Sequence, residues 1–199
     1  MSEQIDETIF ADLKACDPED VILRTGSEFD KACDQYFINV WGHRYCVDLK
    51  NNEVRPELEG SGLKTYHGFL YLFILYYLMK SKNIPPSGEW VSQKDIPGGA
   101  GFFRGPHTIP VELITGRFKD ELGLFKKECK KAGGVSIEMA DAACTFEITP
   151  TLPVAVLYWQ GDEDFPSEAK LLFDRTIEQQ LPLDILYALA VEICHTLGK

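Results

Sequence analysis

Three consecutive acids, Asp162, Glu163 and Asp164, are the residues best suited to chemistry, because they directly follow a long apolar run at one turn. That run, residues 154–159, contains no charged side chain and predicts an interior strand that is covered on both faces. Carboxylates crowded at the end of such a strand should include at least one that is hard to ionise. The cluster could therefore supply a general acid and base, or oxygen ligands for a hard cation.

The same acids also suit a purely structural role. Residues 161–166 contain a glycine and a proline, so the carboxylates could accept hydrogen bonds within a tight turn and keep the surface solvated. Trp159 and Phe165 flank the acids with large apolar groups, which favours partial burial and contact with a ligand. The sequence leaves the structural role, ligand contact and proton transfer open.

A glycine-rich segment, residues 97–106, is the second candidate site. Its glycines, Gly98 and Gly99 among them, would let backbone amides approach a ligand, and Arg104 could pair with a carboxylate or phosphate through two hydrogen bonds. The segment lacks the lysine and hydroxyl of a phosphate-binding P-loop. We expect an open loop at residues 98–101, either as simple loop geometry, as a ligand contact or as a mobile lid. His107 follows it and is the histidine placed best for a functional role.

Composition excludes several classes of function. The net charge is -11, whereas binding to nucleic acid or to an anionic membrane surface requires a basic footprint. The nearest cysteines, Cys33 and Cys46, are too far apart for a CxxC element, and the histidines lack metal-ligand spacing. We therefore expect no metal, no cofactor and reduced cysteines in a cytoplasmic protein. The first ten residues also lack the pattern of a signal peptide.

The hydrophobic pattern predicts a single α+β domain over residues 1–199. We expect a mixed or mostly antiparallel sheet, with an N-terminal hairpin turning at Gly42. Residues 66–79 are apolar but shorter than the roughly twenty residues of a membrane span, so they predict a buried helix. Residues 110–132 predict helix with an interruption near Gly116, and a last helix should begin near Pro182.

Two blocks of this sequence resemble domain-of-unknown-function family 3786. The first is GEWVSQKDIPGG at residues 88–99, and the second is LPVAVLYWQGDEDFPSEAKLLFD at residues 152–174. The resemblance implies a family of anaerobic bacteria and archaea, some of whose members carry a four-cysteine iron–sulfur motif. This chain lacks that motif, so the resemblance implies only an association with anaerobic corrinoid, tetrapyrrole or one-carbon metabolism and no established reaction.

Two classes of function remain. The first is a small-molecule-binding or accessory protein, with a pocket between the glycine-rich segment at Gly98 and Gly99 and the acidic turn at Asp162 and Glu163, and with no indication of a protein partner. The second is an acid–base enzyme that uses Asp162 or Glu163 together with Arg104 or His107. An enzyme should show a carboxyl with a raised pKa in a cleft, whereas a binding protein should show a largely apolar cavity. The candidate ligand-binding residues are Gly98, Gly99, Arg104, His107, Trp159, Asp162, Glu163 and Phe165.

Overall fold

The computed structural model describes residues 7–60, 63 and 65–199, which form an α+β fold with two antiparallel sheets. The helices are α1 Glu7–Lys14, α2 Pro18–Thr25, α3 Phe69–Lys80, α4 Gly99–Phe102, α5 Glu112–Phe118, α6 Leu122–Lys131 and α7 Leu183–Leu197. The strands are β1 Glu28–Asp30, β2 Gln35–Val40, β3 His43–Asp48, β4 Glu53–Pro56, β5 Trp90–Val91, β6 Val135–Ile137, β7 Ala142–Thr149, β8 Leu152–Trp159 and β9 Glu168–Asp174.

The first sheet is a meander in the order β1-β2-β3-β4. Strands β2 and β3 form the predicted hairpin, in which Val40 pairs with His43 across a two-residue turn. Both turn residues, Trp41 and Gly42, have positive φ, which matches the twist of the flanking strands. Trp41 lies in the turn, directly after the end of β2. Its backbone N–H donates to the Ile148 carbonyl of β7 at 2.8 Å, which joins the two sheets.

The second sheet has the order β5-β9-β8-β7-β6, with β8 at its centre. The prediction of an interior strand is confirmed, because β8 pairs with β7 on one side and with β9 on the other. Alternate residues of β8 face opposite sides of the sheet. Val156 is fully buried in the main core, whereas Leu157 belongs to a small cluster on the outer face, with Ala143 and Leu172.

The predicted apolar helix is confirmed as α3, which packs on α7 inside the main core. Six of its side chains are buried around most of its circumference, which explains why its sequence shows no polar face. Across the described ranges, no helix combines the length and the apolar character that a membrane crossing requires.

Two segments, residues 98–101 and the helix expected at residues 110–132, differ from the sequence prediction. The segment expected to be an open loop forms the single helical turn α4, in which the Phe102 and Phe103 amides donate to the carbonyls of residues 98 and 99. The helix break expected near Gly116 lies instead after Phe118, because Lys119 adopts a positive φ of 45° and ends α5. The hydroxyl of Tyr158 donates to the Lys119 carbonyl and fixes this break against β8.

Candidate functional site

The two sequence blocks lie side by side along strands β5 and β9. Trp90 pairs with Asp174, and Val91 pairs with Phe173. Beyond the strand ends, the Arg175 guanidinium lies 2.6 Å from the Glu89 carboxylate. The blocks are far apart in sequence, so this pairing is a tertiary contact that brings them into one region.

Asp174, the last residue of the second block, fixes the start of the first block. Its carboxylate accepts hydrogen bonds from the Ser87 N–H and hydroxyl, both at 3.0 Å, and from the Gly88 N–H at 2.7 Å. It also accepts from the Thr176 N–H at 3.0 Å and hydroxyl at 2.7 Å. Burial alone would raise the pKa of Asp174, but the hydrogen bonds from Ser87, Thr176 and Gly88 lower it to about 2.

A cleft of about 580 Å³ opens where these two blocks meet the glycine-rich segment. Ser92 and Gln93 contribute from the first block, and the first four residues of β9 contribute from the second. Arg104 lines the same cleft, together with apolar side chains. The apolar lining residues are Phe103, Ile109, Val111, Ala169 and Leu171.

Gly98 and Gly99 do not line the cleft, but Gly99 lies directly against Gln93, which does. A Cβ atom on Gly99 would lie 2.0 Å from the backbone oxygen of Gln93, so only glycine fits against this turn. Gly98 has a φ of 79° and is the N-cap residue of α4. The turn is closed by Asp95, whose carboxylate accepts hydrogen bonds from the Ser92 N–H at 3.0 Å and hydroxyl at 2.6 Å. Gly99 therefore allows the close approach of the Gln93 backbone, and Gln93 lines the cleft.

The acidic turn, residues 161–166, is held by hydrogen bonds within the turn and does not line the cleft. The Asp162 carboxylate accepts hydrogen bonds from the N–H groups of Asp164 at 2.9 Å and Phe165 at 2.8 Å. Glu163 is exposed, and Phe165 is 71% exposed. None of these residues is among those that line the cleft, although the turn leads directly into β9. Trp159 packs on the outer face of the second sheet.

His107 lies in an aromatic cluster next to the cleft. Its ring stacks on Phe102, with centroids 4.4 Å apart, and meets the edge of Tyr187 at 5.4 Å. The Tyr187 hydroxyl donates to the Pro106 carbonyl at 3.1 Å, which holds this segment on α7. His107 does not line the cleft. Of the predicted site residues, the cleft lining therefore contains Arg104.

The model of the family described as Domain of unknown function (DUF3786) matches residues 17–196, which is nearly the whole chain. The chain belongs to this family. No curated protein and no solved structure matches it.

Among the residues that the structure describes, the carboxyl with a raised pKa is that of Glu192, which was not predicted from the sequence. Glu192 is 2% exposed on α7, and its Oε1 accepts hydrogen bonds from the Thr65 hydroxyl and from the N–H groups of Tyr66 and Leu70. Burial raises its pKa, although these hydrogen bonds act in the opposite direction. The carboxylate thus caps the N-terminus of α3. The sequence offered one indication of a special role, because Glu192 is the single acid between residues 185 and 197.

We expect the Glu192→Gln variant to alter the pH dependence of stability. A carboxyl whose pKa is higher in the folded than in the unfolded protein stabilises the fold below its unfolded pKa of about 4.3. That contribution is lost as the pH rises through the folded pKa. Glutamine keeps the accepting oxygen but cannot ionise. The melting temperature of the variant, relative to wild type, should therefore increase as the pH is raised from 4 towards 7. A constant difference between the two proteins would contradict this assignment.

Proposed function

We propose that this protein binds a small molecule in the cleft between β9, the turn at residues 92–94 and the segment at residues 103–111, and that it serves as a binding or accessory protein. The observation that carries the proposal is the construction of the cleft, since both blocks of the family resemblance contribute to its walls. Its volume of about 580 Å³ lies within the range of ligand pockets, roughly 300–1,000 Å³. Its lining combines apolar side chains with polar and charged ones, which suits a ligand that has both kinds of group.

The acid–base alternative has less support. An acid–base site needs a carboxyl with a shifted pKa that faces a substrate. The carboxyl with a raised pKa, Glu192, caps a helix and is absent from the cleft lining. The carboxylate of Asp162 accepts hydrogen bonds within its own turn.

The proposal is tested by filling the cleft. Thr108 is exposed and lines the cleft, so Thr108→Trp should occupy its volume without disturbing the core. Asp12→Trp, on the exposed surface of α1, is the matched control. We expect native mass spectrometry of gently purified protein, or a thermal-shift screen of small metabolites, to show a ligand that binds to wild type and to the control. That ligand should be lost from Thr108→Trp. Equal binding to all three proteins, or no ligand for any of them, would contradict the proposal.

A further inference from the structure

Positively charged side chains are concentrated around the cleft, although the net charge of the chain is -11. Lys94, Arg104 and Lys170 line it from three different segments, whereas Glu168 is the acid among its lining residues. Within the described residues, none of these three cations takes part in an ion pair or side-chain hydrogen bond. The chain as a whole has 20 basic and 31 acidic residues, so a local excess of unpaired cations contrasts with the rest of the molecule.

One acid outside the cleft lining, Asp95, is already engaged in hydrogen bonds. Asp95 acts electrostatically on Lys170, but its carboxylate accepts both hydrogen bonds from Ser92. Arg175, which also acts on Asp95, pairs with Glu89 outside the cleft. The cations that line the cleft are therefore available to an anionic ligand.

The edge of β9 adds backbone hydrogen-bonding groups to the cleft. Strand β5 covers only Phe173 and Asp174, so the part of β9 before them has no neighbouring strand on that side in the described chain. The Arg175 N–H donates to the Glu89 carbonyl on the β5 side. Because backbone groups alternate along an antiparallel strand, those of Ala169 and Leu171 point to the same side. They lie at the wall of the cleft, on the side that no strand covers.

We infer that the ligand is a small organic molecule with a doubly charged anionic group, a phosphate monoester or paired carboxylates, attached to an apolar body. This inference rests on the proposed function of the cleft. The guanidinium of Arg104 binds the anionic group through two hydrogen bonds, and Lys94 and Lys170 add point charges. The apolar body packs against Val111, which is only partly buried, and the edge of β9 that lacks a neighbouring strand pairs with polar atoms of the ligand.

Three probes distinguish the parts of this inference. Phenyl phosphate and phenylsuccinate carry the two kinds of dianion, and benzyl alcohol carries the ring alone. We expect calorimetry to show that at least one dianion binds more tightly than benzyl alcohol, with affinity that falls as salt is added. Binding by one dianion alone identifies which anionic group the cleft prefers.

Equal affinity for benzyl alcohol would overturn the anionic inference and leave the proposed function intact. Absence of binding by every probe would overturn the inference, whereas the proposed function fails separately in the cleft-filling test.

Two substitutions with opposite expected effects complete the test. Arg104→Gln should weaken binding of the dianion by at least about tenfold, because it removes a charge-assisted pair of hydrogen bonds. Glu168→Gln should strengthen binding about two- to threefold, because it removes a repelling carboxylate. Both side chains are exposed, so neither change should lower the melting temperature appreciably. An unchanged affinity in Arg104→Gln, or weaker binding in Glu168→Gln, would overturn the inference.

Discussion

Replacing Val156 with aspartate is expected to lower the free energy of unfolding by several kcal/mol. Val156 is fully buried on the central strand β8, where it pairs with Cys144 on β7 and Leu171 on β9. A carboxyl group at this position would lie in the main core among apolar side chains. It would either stay charged without a partner or become protonated, and both outcomes cost free energy of folding. Chemical denaturation followed by circular dichroism measures the loss.

The matched control for that substitution is Val135→Asp. Val135 is 66% exposed on the edge strand β6, so the same change of residue type leaves the new carboxylate in water. We expect its effect to be below about 1 kcal/mol. A Val156→Asp protein with a melting temperature close to that of wild type would contradict the burial of Val156 in the main core.

The elements predicted best from the sequence are those that local patterns specify. The run that forms β8 is apolar without interruption because the strand is covered on both faces. The hairpin at Gly42 follows from alternation and from a turn that requires positive φ. By contrast, β1 and β6 have three residues each and were not predicted, since their short sequences carry no periodicity.

The errors at α4 and after α5 have tertiary causes. The glycines near Gly98 indicate a loop by residue type, yet the chain folds into a helical turn because the Gln93 backbone packs directly against Gly99. Helix α5 ends before Lys119 rather than near Gly116, and the Lys119 carbonyl accepts a hydrogen bond from the Tyr158 hydroxyl. Neither contact can be read from spacing along the chain, because each joins segments that the fold brings together.

The candidate site was only partly predictable for the same reason. Arg104 could be identified by its residue type beside glycines, and it does line the cleft. Lys94 and Lys170 could not be predicted as site residues, because an isolated lysine has no distinctive sequence pattern. They line the cleft only because β5 pairs with the end of β9. Glu192 reaches Thr65 across 127 positions, so its capping role also depends on the tertiary fold.

Removal of the Asp174 carboxylate should have the second large effect on stability. In Asp174→Ala, five donors on Ser87, Gly88 and Thr176 lose their acceptor in a region where Asp174 itself is 2% exposed. We expect a loss of about 3–5 kcal/mol in the free energy of unfolding. The exposed acid Glu163 provides the control, since Glu163→Ala should change stability by less than about 0.5 kcal/mol.

The stability that Asp174 confers should also depend on pH in a defined window. Its pKa is about 2 in the folded protein, below the value of about 3.9 for an unfolded aspartate, so its contribution is full above pH 4 and is lost as the pH falls towards 2. A pKa lowered to this extent corresponds to a contribution of about 2–3 kcal/mol to the free energy of unfolding. Asp174→Asn keeps the shape but cannot ionise, so the gap in stability between wild type and this variant should narrow between pH 4 and pH 2. If the gap stays constant across this window, or if Asp174→Ala is as stable as the Glu163→Ala control, then Asp174 does not join the two blocks through its charge.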